Sequence, residues 1–208
     1  MLEIFPTILT DDPEELEEKI RVLEIVGRSK KVHLDIIDGE FVENRTVSLE
    51  AVAGVETTLS LDIHLMVVEP VLWIERALAC GPERIIGHIE KMEDQDAYIK
   101  KVIGTGLRAG LAVDLETPIE KIDPMVTSEV DVVFLMGVRA GFGGQEFNRI
   151  VLDKVEKLVQ IRDAEGASFK ILVDGGVNAE NVKEIEQAGA NEVAVGHDFE
   201  QVKDLYGN

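Results

Sequence analysis

The stretch Val32-His33-Leu34-Asp35-Ile36-Ile37-Asp38-Gly39 decides the fold prediction, because it has the composition of a buried strand and yet carries ionisable side chains. It is mostly apolar and ends at a glycine, which is typical of a strand followed by a turn. In an extended chain successive side chains point to opposite faces, so His33 and Asp35 share one face. A strand that served only packing would not carry both groups there.

Two further stretches repeat this arrangement. His64 lies within an apolar run, and Asp174 ends another run directly before two glycines. Imidazole nitrogen and carboxylate oxygen are common ligands of zinc and other transition metals. The four residues His33, Asp35, His64 and Asp174 therefore form a candidate metal site. For any one of the histidines, a hydrogen-bonded place in the core is the alternative interpretation.

The chain contains eight strand-like runs separated by helical patterns. The runs cover residues 3–9, 31–37, 59–67, 84–89, 108–114, 131–138, 169–174 and 192–196. The helical patterns cover residues 12–26, 69–80, 93–103, 148–165 and 179–188, with weaker ones at 48–54 and 117–126. Strands that alternate with helices at this spacing predict a parallel sheet, and eight such units favour a closed (β/α)8 TIM barrel. We expect one barrel domain over residues 1–208, with a doubly wound open sheet as the alternative.

The composition limits which kinds of molecule the protein is expected to bind. Hydrophobic residues make up 45% of the chain and aromatic residues only 5%, which favours an aliphatic core of buried parallel strands. The formal net charge of −20 argues against nucleic acid or an anionic membrane as a partner, because both require a basic face. The single cysteine, Cys80, excludes an internal disulfide framework. With no signal-peptide pattern and no apolar run of roughly 18 residues, we expect a soluble cytoplasmic protein.

A barrel of this kind places its chemistry at the carboxyl ends of the strands. The polar or sulfur-containing residues near those ends are Thr7, His33, Asp35, His64, Met66, His88, Met136 and Asp174. Glycines follow the last three strands: Gly141, Gly143 and Gly144, then Gly175 and Gly176, then Gly196. Such loops often bind phosphate through backbone N–H groups, although a tight turn that needs glycine is the alternative for each.

With these residues in place, the chain resembles the ribulose-phosphate 3-epimerase family over nearly its full length. The matching segments are Pro6-Thr7-Ile8-Leu9, His33-Leu34-Asp35-Ile36-Ile37-Asp38-Gly39, Asp62-Ile63-His64-Leu65-Met66, His88-Ile89-Glu90, Leu135-Met136, Gly141-Phe142-Gly143-Gly144-Gln145-Glu146-Phe147 and Val173-Asp174-Gly175-Gly176-Val177-Asn178. The resemblance implies an isomerase of the pentose phosphate pathway that interconverts D-ribulose 5-phosphate and D-xylulose 5-phosphate.

The resemblance also implies roles for individual residues. One divalent metal ion, zinc, iron, manganese or cobalt, would be bound by His33, Asp35, His64 and Asp174, and Asp35 and Asp174 would be the two acid/base groups on opposite faces of the sugar. The proton α to the C2 carbonyl can be removed only if the ene-diolate is stabilised, and a metal ion supplies that stabilisation as a Lewis acid. The implied substrate-binding residues are Thr7, His64, Met66, Met136, Gly141, Gly143, Gly144, Gly175, Gly176, Gly196 and His197.

The chain departs from the family pattern mainly at the phosphate end. Family members usually have serine where His197 stands, and Asn-Pro where Arg139 and Ala140 stand. In one interpretation His197 or Arg139 still helps to hold phosphate, with Arg45 as a further cation. In the other, the substrate is a different ketose or ketose phosphate.

Two other functions stay open at this stage. One is a related barrel aldolase or decarboxylase, against which the absence of lysine from Asp35-Ile36-Ile37-Asp38 argues. The other is a non-catalytic barrel that binds a metal ion or a sugar phosphate. Whichever applies, the expected ligand is a small molecule, and we expect a homo-oligomer.

Overall fold

Eight parallel strands close into a barrel in chain order, with the last strand paired to the first. The structure is a computed structural model that describes residues 2–206. The strands are β1 (Glu3–Ile8), β2 (Lys31–Ile37), β3 (Ser60–Met66), β4 (Arg84–His88), β5 (Arg108–Val113), β6 (Val132–Met136), β7 (Lys170–Asp174) and β8 (Glu192–Val195). The predicted (β/α)8 barrel is confirmed, and the open sheet is excluded because β8 hydrogen-bonds to β1.

Helices cover the outside of the barrel. They are α1 (Pro13–Val26), α2 (Leu49–Ala53), α3 (Ile74–Leu78), α4 (Gln95–Gly104), α5 (Ile150–Glu165), α6 (Val182–Ala188) and α7 (Phe199–Tyr206). Helix α1 has the ends that its sequence predicts: Asp12 accepts a hydrogen bond from the Glu14 N–H, and Gly27 ends the helix at φ 67°. Among the described residues, no helix is both long and apolar enough to cross a membrane.

Three helical segments differ from the prediction. The pattern at 69–80 forms a 3₁₀ turn, Pro70–Leu72, and the short helix α3, because Glu69 takes a left-handed conformation at φ 51° just before the turn. The pattern at 117–126 forms two separate 3₁₀ turns, Ile119–Lys121 and Pro124–Val126. Helix α7 has no counterpart among the predicted helices, although Phe199 and Val202 bury one of its faces.

The interior of the barrel has a charged layer near the amino ends of the strands and the predicted site residues near the carboxyl ends. Near the amino ends of the strands, Arg84 contacts Asp62, Asp131 and Glu192, and we call these four residues the basal ion cluster. An apolar layer lies above it and includes Phe5, Ile86, Phe134, Leu172 and Ala194. Since side chains alternate along a strand, the next inward positions along β1, β2, β3 and β7 include Thr7, Asp35, Met66 and Asp174. The apolar layer therefore separates the basal charges from the carboxyl ends of the strands.

Candidate active site

The two neighbouring strands β2 and β3 bring three of the predicted ligands together. One ligand atom each from His33, Asp35 and His64 lies within 4.8 Å of the other two. Asp35 and His64 are direct partners in the β2–β3 register, and the Nδ1 atom of His64 lies 2.7 Å from Oδ1 of Asp35. Thr7 of β1 donates a hydrogen bond of 3.3 Å to Oδ2 of Asp35. The parallel register thus brings His64 of β3 beside His33 and Asp35 of β2, although His64 is 29 residues from Asp35 in the chain.

The donor atoms of this group fit a divalent metal ion. Both histidines are fully buried, and both ring nitrogens of His33 and Nε2 of His64 have no hydrogen-bond partner among the described residues. Burial lowers the pKa of both imidazoles well below its usual range, so each ring is neutral and keeps a lone pair for a ligand. Two imidazoles and a carboxylate match zinc, iron, manganese or cobalt better than calcium, which prefers oxygen ligands.

Asp174 ends β7, three strands from β2 by the shorter way around the barrel. Its carboxylate is not one of the group of close ligand atoms, but burial raises the pKa of Asp174 well above its usual range and the nearby charge of Asp35 raises it further. Burial also raises the pKa of Asp35, to about 7, against the hydrogen bond from Thr7. Two buried carboxyl groups whose charges repel each other favour one protonated and one ionised member, which is the pairing that an acid/base reaction requires.

A cavity of about 1230 Å³ opens above these carboxyl groups. The predicted residues that line it are Thr7, Asp35, Met66, Met136, Gly141, Gly143, Gly144, Asp174, Gly175, Gly176, Gly196 and His197. His33 and His64 are fully buried and are not part of the cavity wall. Most of the predicted site residues therefore line one cavity, and His33 and His64 are the two that lie outside its wall.

The two arginines considered for phosphate binding do not line the cavity. The guanidinium of Arg139 bonds to Glu116 on the exposed surface, where both side chains are 69% exposed. Arg45 packs over Gly39 at the rim and pairs through its backbone with Asp38. These placements argue against the interpretation in which Arg139 or Arg45 holds phosphate. Of the side chains considered from the sequence as phosphate donors, His197 is the one that lines the cavity.

Other cavity residues are not predicted by the sequence. Lys19 of α1 and Arg149, just before α5, both line the cavity, and they pair with Glu15 and Glu184 respectively. Phe142 also lines it from the β6 loop. Charged residues on a helix that faces the cavity cannot be recognised from the sequence, because i,i+4 pairs such as Glu15 and Lys19 are typical of any exposed helix.

Two loops contact each other over the mouth of the barrel. The side chain of Asn44, in the loop after β2, donates a hydrogen bond to the carbonyl oxygen of Gly141 in the loop after β6. A Cβ atom on Gly141, whose φ is 104°, would clash with a methyl group of Val42, so glycine is required by both the backbone and the contact. The carboxylate of Asp38 organises the β2 loop by accepting hydrogen bonds from backbone N–H groups, those of Glu40, Phe41 and Val68.

Comparison with known proteins identifies the family. The model of the ribulose-phosphate 3 epimerase family matches residues 3–199. This chain belongs to that family. Ribulose-phosphate 3-epimerase of Bacillus subtilis is 35% identical over 200 residues, with 94% of this chain and 91% of the relative covered. The chloroplastic ribulose-5-phosphate-3-epimerase of Arabidopsis thaliana is 32% identical, with 93% and 69% covered.

Solved structures of lower identity share the fold. A tryptophan synthase α-subunit of Pyrococcus furiosus superposes with a TM-score of 0.65 at 15% identity, covering 98% of this chain and 94% of the other. Phosphoribosyl anthranilate isomerase of Thermus thermophilus gives a TM-score of 0.62 at 14% identity, with 94% and 87% covered. These likenesses support the barrel alone. Membership of the epimerase family makes the chain an isomerase that acts on carbohydrate.

Proposed function

We propose that this protein interconverts D-ribulose 5-phosphate and D-xylulose 5-phosphate by moving a proton at C3. The observation that carries the proposal is the pair of buried carboxyl groups, Asp35 and Asp174, that face one cavity. The family match supports the same reaction class. A pentose phosphate is far smaller than the cavity of about 1230 Å³, so substrate can enter with both carboxyl groups beside it.

In the proposed reaction one carboxylate removes the C3 proton and the other, protonated, carboxyl group returns a proton on the opposite face of the ene-diolate. The roles exchange when the reaction runs backwards, so the same two residues serve both directions. His33, Asp35, His64 and Asp174 would hold one divalent metal ion, which supplies Lewis-acid stabilisation of the negative charge that develops on the substrate. Met66 and Met136 line the cavity and would give the planar intermediate a polarizable surface that excludes water.

The phosphate group would be bound by backbone N–H groups of the loops after β7 and β8. Gly175 and Gly176 lie at φ 96° and φ 69°, a left-handed conformation that glycine adopts without strain and that lets a ligand approach the backbone closely. The N–H of Gly175 donates to Oδ1 of Asp174, so the N–H of Gly176 would be the donor to phosphate at this turn. His197 lies beside Gly196 in the cavity wall and would contribute a further donor. A cytoplasmic location and a homo-oligomeric state remain predictions from the sequence.

A second candidate is an epimerase of another ketose or ketose phosphate. The observation that favours it is the charge of the cavity wall, because Lys19 and Arg149 are each paired with a glutamate while Glu180, Asp198 and Glu200 also line the cavity. A phosphate dianion would meet this acidic surface unless the backbone N–H groups compensate.

Exchange of the C3 proton on D-ribulose 5-phosphate in D₂O, followed by NMR, tests the proposal. The protein is compared after removal of metal and after addition of Zn²⁺, Fe²⁺, Mn²⁺ or Co²⁺ in turn. We expect metal-dependent exchange with D-xylulose 5-phosphate as product, and its loss by at least about 10³-fold in D35N and D174N. D163N is the matched control, since Asp163 is an exposed residue of α5 outside the cavity. Absence of exchange by folded, metal-loaded protein on this substrate, with exchange on another ketose, would favour the second candidate.

A further inference from the structure

A third histidine, outside the proposed ligand set, packs directly against one of the ligands. The ring of His88, at the end of β4, lies with its centroid 4.8 Å from that of His64 and its plane at 30° to it. His88 is fully buried, and Phe41 contacts its ring at a centroid distance of 4.8 Å. The orientation of His88 therefore fixes one of the surfaces against which His64 packs.

Glu90 fixes the orientation of His88. Its Oε2 atom lies 2.9 Å from Nδ1 of His88, and its Oε1 accepts the N–H of Asp114, just after β5, at 2.7 Å. Burial acts to raise the pKa of Glu90, but the hydrogen bonds that its carboxylate accepts, first from His88 and then from Asp114, outweigh burial and lower the pKa to about 2. The contact with Glu90 therefore fixes the Nδ1 edge of the His88 ring. With its two oxygens bonded to groups at the ends of two different strands, the Glu90 carboxylate cannot rotate away.

We propose that Glu90 and His88 are positioning residues for the metal ligand His64, an inference that rests on the metal site of the proposed function. Asp35 holds the Nδ1 edge of the His64 ring at 2.7 Å, but the Nε2 atom has no hydrogen-bond partner among the described residues. Packing must therefore hold the rest of the ring, and the rings of His88 and Phe134 lie against it at centroid distances of 4.8 Å and 4.5 Å. Residues that orient a ligand in this indirect way commonly change metal affinity by about 10- to 100-fold.

Neither positioning residue is in a place to act on the substrate. His88 and Glu90 do not line the cavity, and neither is in the group of close ligand atoms around His33. Their effect should therefore be seen in the binding of metal in the absence of substrate. This distinguishes a positioning role from a catalytic one.

Titration of metal-free protein with Co²⁺, followed by the visible absorption of the bound ion, tests the inference. E90Q keeps the size of the side chain and the acceptor for Asp114, but presents an amide N–H or a neutral oxygen to Nδ1 of His88. Y98F is the matched control, because Tyr98 is fully buried and donates from outside the barrel to the carbonyl of Ile85, on the same strand as His88. We expect E90Q to bind Co²⁺ about 10- to 100-fold more weakly with a shifted absorption band, and Y98F to bind as the wild type does.

A second variant keeps the test decisive if E90Q does not fold. H88L/E90Q removes the ring that packs on His64, fills much of its volume with an apolar side chain and removes the charge that would otherwise be buried without its partner. Weakened Co²⁺ binding by either folded variant, with Y98F unchanged, supports the inference. Wild-type affinity and spectrum in a folded variant would overturn it, as would an equal loss in Y98F. Failure of the wild type to bind Co²⁺ would instead overturn the metal site itself.

Discussion

Replacement of Arg84 by methionine tests whether a single guanidinium holds the basal ion cluster together. The Arg84 side chain is 1% exposed. Its Nε donates to Asp62 at 3.0 Å, its Nη1 to Asp131 at 3.0 Å and its Nη2 to Glu192 at 2.7 Å. Methionine preserves much of the volume and removes all of these bonds, leaving the carboxylates of Asp62 and Glu192 buried with weaker partners.

The structure gives the size of the effect in two ways. Removal of one member of a buried ion pair costs roughly 3–5 kcal/mol, because the remaining charge is not compensated. The pKa of Glu192 gives a second value: burial acts to raise it, and Arg84 leads the groups that lower it from 4.5 to about 2, which corresponds to about 3 kcal/mol of stabilisation at neutral pH. Lys170 and Lys31 also contribute to that lowering and remain in the variant. We therefore expect R84M to lose about 3 kcal/mol of unfolding free energy at pH 7.5.

The loss of unfolding free energy in R84M depends on pH, and the lowered pKa of Glu192 sets the direction of that dependence. Because the folded-state pKa of Glu192 is lowered, its stabilisation is fully present above pH 4.5 and is lost as the pH falls towards 2. In R84M the Glu192 carboxylate has lost its main partner, so its protonation costs the variant less than it costs the wild type. Burial raises the pKa of Asp62 even beside Arg84, so the acid-sensitive part of the wild-type stabilisation comes from Glu192. The difference in unfolding free energy between wild type and R84M should be largest near pH 7.5 and should shrink as the pH falls from 4.5 towards 2.

Urea denaturation followed by circular dichroism measures this difference at both ends of the pH range. R21M is the matched control, since Arg21 pairs with Glu17 on the surface of α1 and is 65% exposed. An exposed pair contributes no more than about 1 kcal/mol. A loss in R84M no larger than that in R21M, or the same loss at pH 7.5 and pH 3, would refute the electrostatic account of the basal ion cluster.

Three other predictions concern separate parts of the chain. Burial and the charge of Glu50 raise the pKa of the Cys80 thiol to about 11. Iodoacetamide should therefore label the native protein slowly at pH 7.5 and much faster above pH 10, because the thiolate is the reactive form. Rapid labelling at pH 7.5 would contradict this prediction. In G110A, a Cβ atom would lie 2.6 Å from a methyl carbon of Val132, and we expect a loss of about 1–3 kcal/mol in thermal or urea unfolding, whereas G104A, with open space at that position, should show no comparable loss. If His197 contributes to phosphate binding, H197A should raise the KM for D-ribulose 5-phosphate by about 10-fold with a smaller change in kcat, and an unchanged KM would remove this residue from the site.

The strands can be predicted from the sequence to within two residues at each end, because most of them are apolar runs followed by a polar or glycine residue at the barrel mouth. β2, for example, spans Lys31–Ile37, as predicted. Helices are predicted less well where tertiary contacts set their ends. The segment 69–80 carries a helical pattern, but the left-handed Glu69 and the 3₁₀ turn that follows shorten the helix to Ile74–Leu78.

The site residues can be found because ionisable groups on an apolar strand are conspicuous in a sequence. The alternation of inward and outward positions predicts that His33 and Asp35 share a face, and the register with β3 brings His64 to them. Cavity residues on helices and surface loops carry no comparable pattern in the sequence. Lys19 and Arg149 belong to exposed ion pairs, and Arg139, which a loop position makes attractive, bonds outward to Glu116. The direction of a side chain on a surface loop depends on contacts with other parts of the chain, and the local spacing of residues does not predict those contacts.

The contact of Asn44 and Val42 with Gly141 has a consequence for how substrate preference can change in this barrel. The loop after β6, which lines the cavity through Gly141, is held by a segment that is 97 residues away in the chain at their hydrogen bond, so the shape of each loop depends on the other. A substitution that widens one without the other would leave an unfilled donor or a steric clash at the rim. Changes of preference in relatives should therefore occur as correlated pairs across these segments, and grafting a single loop from another epimerase should transfer less specificity than grafting both.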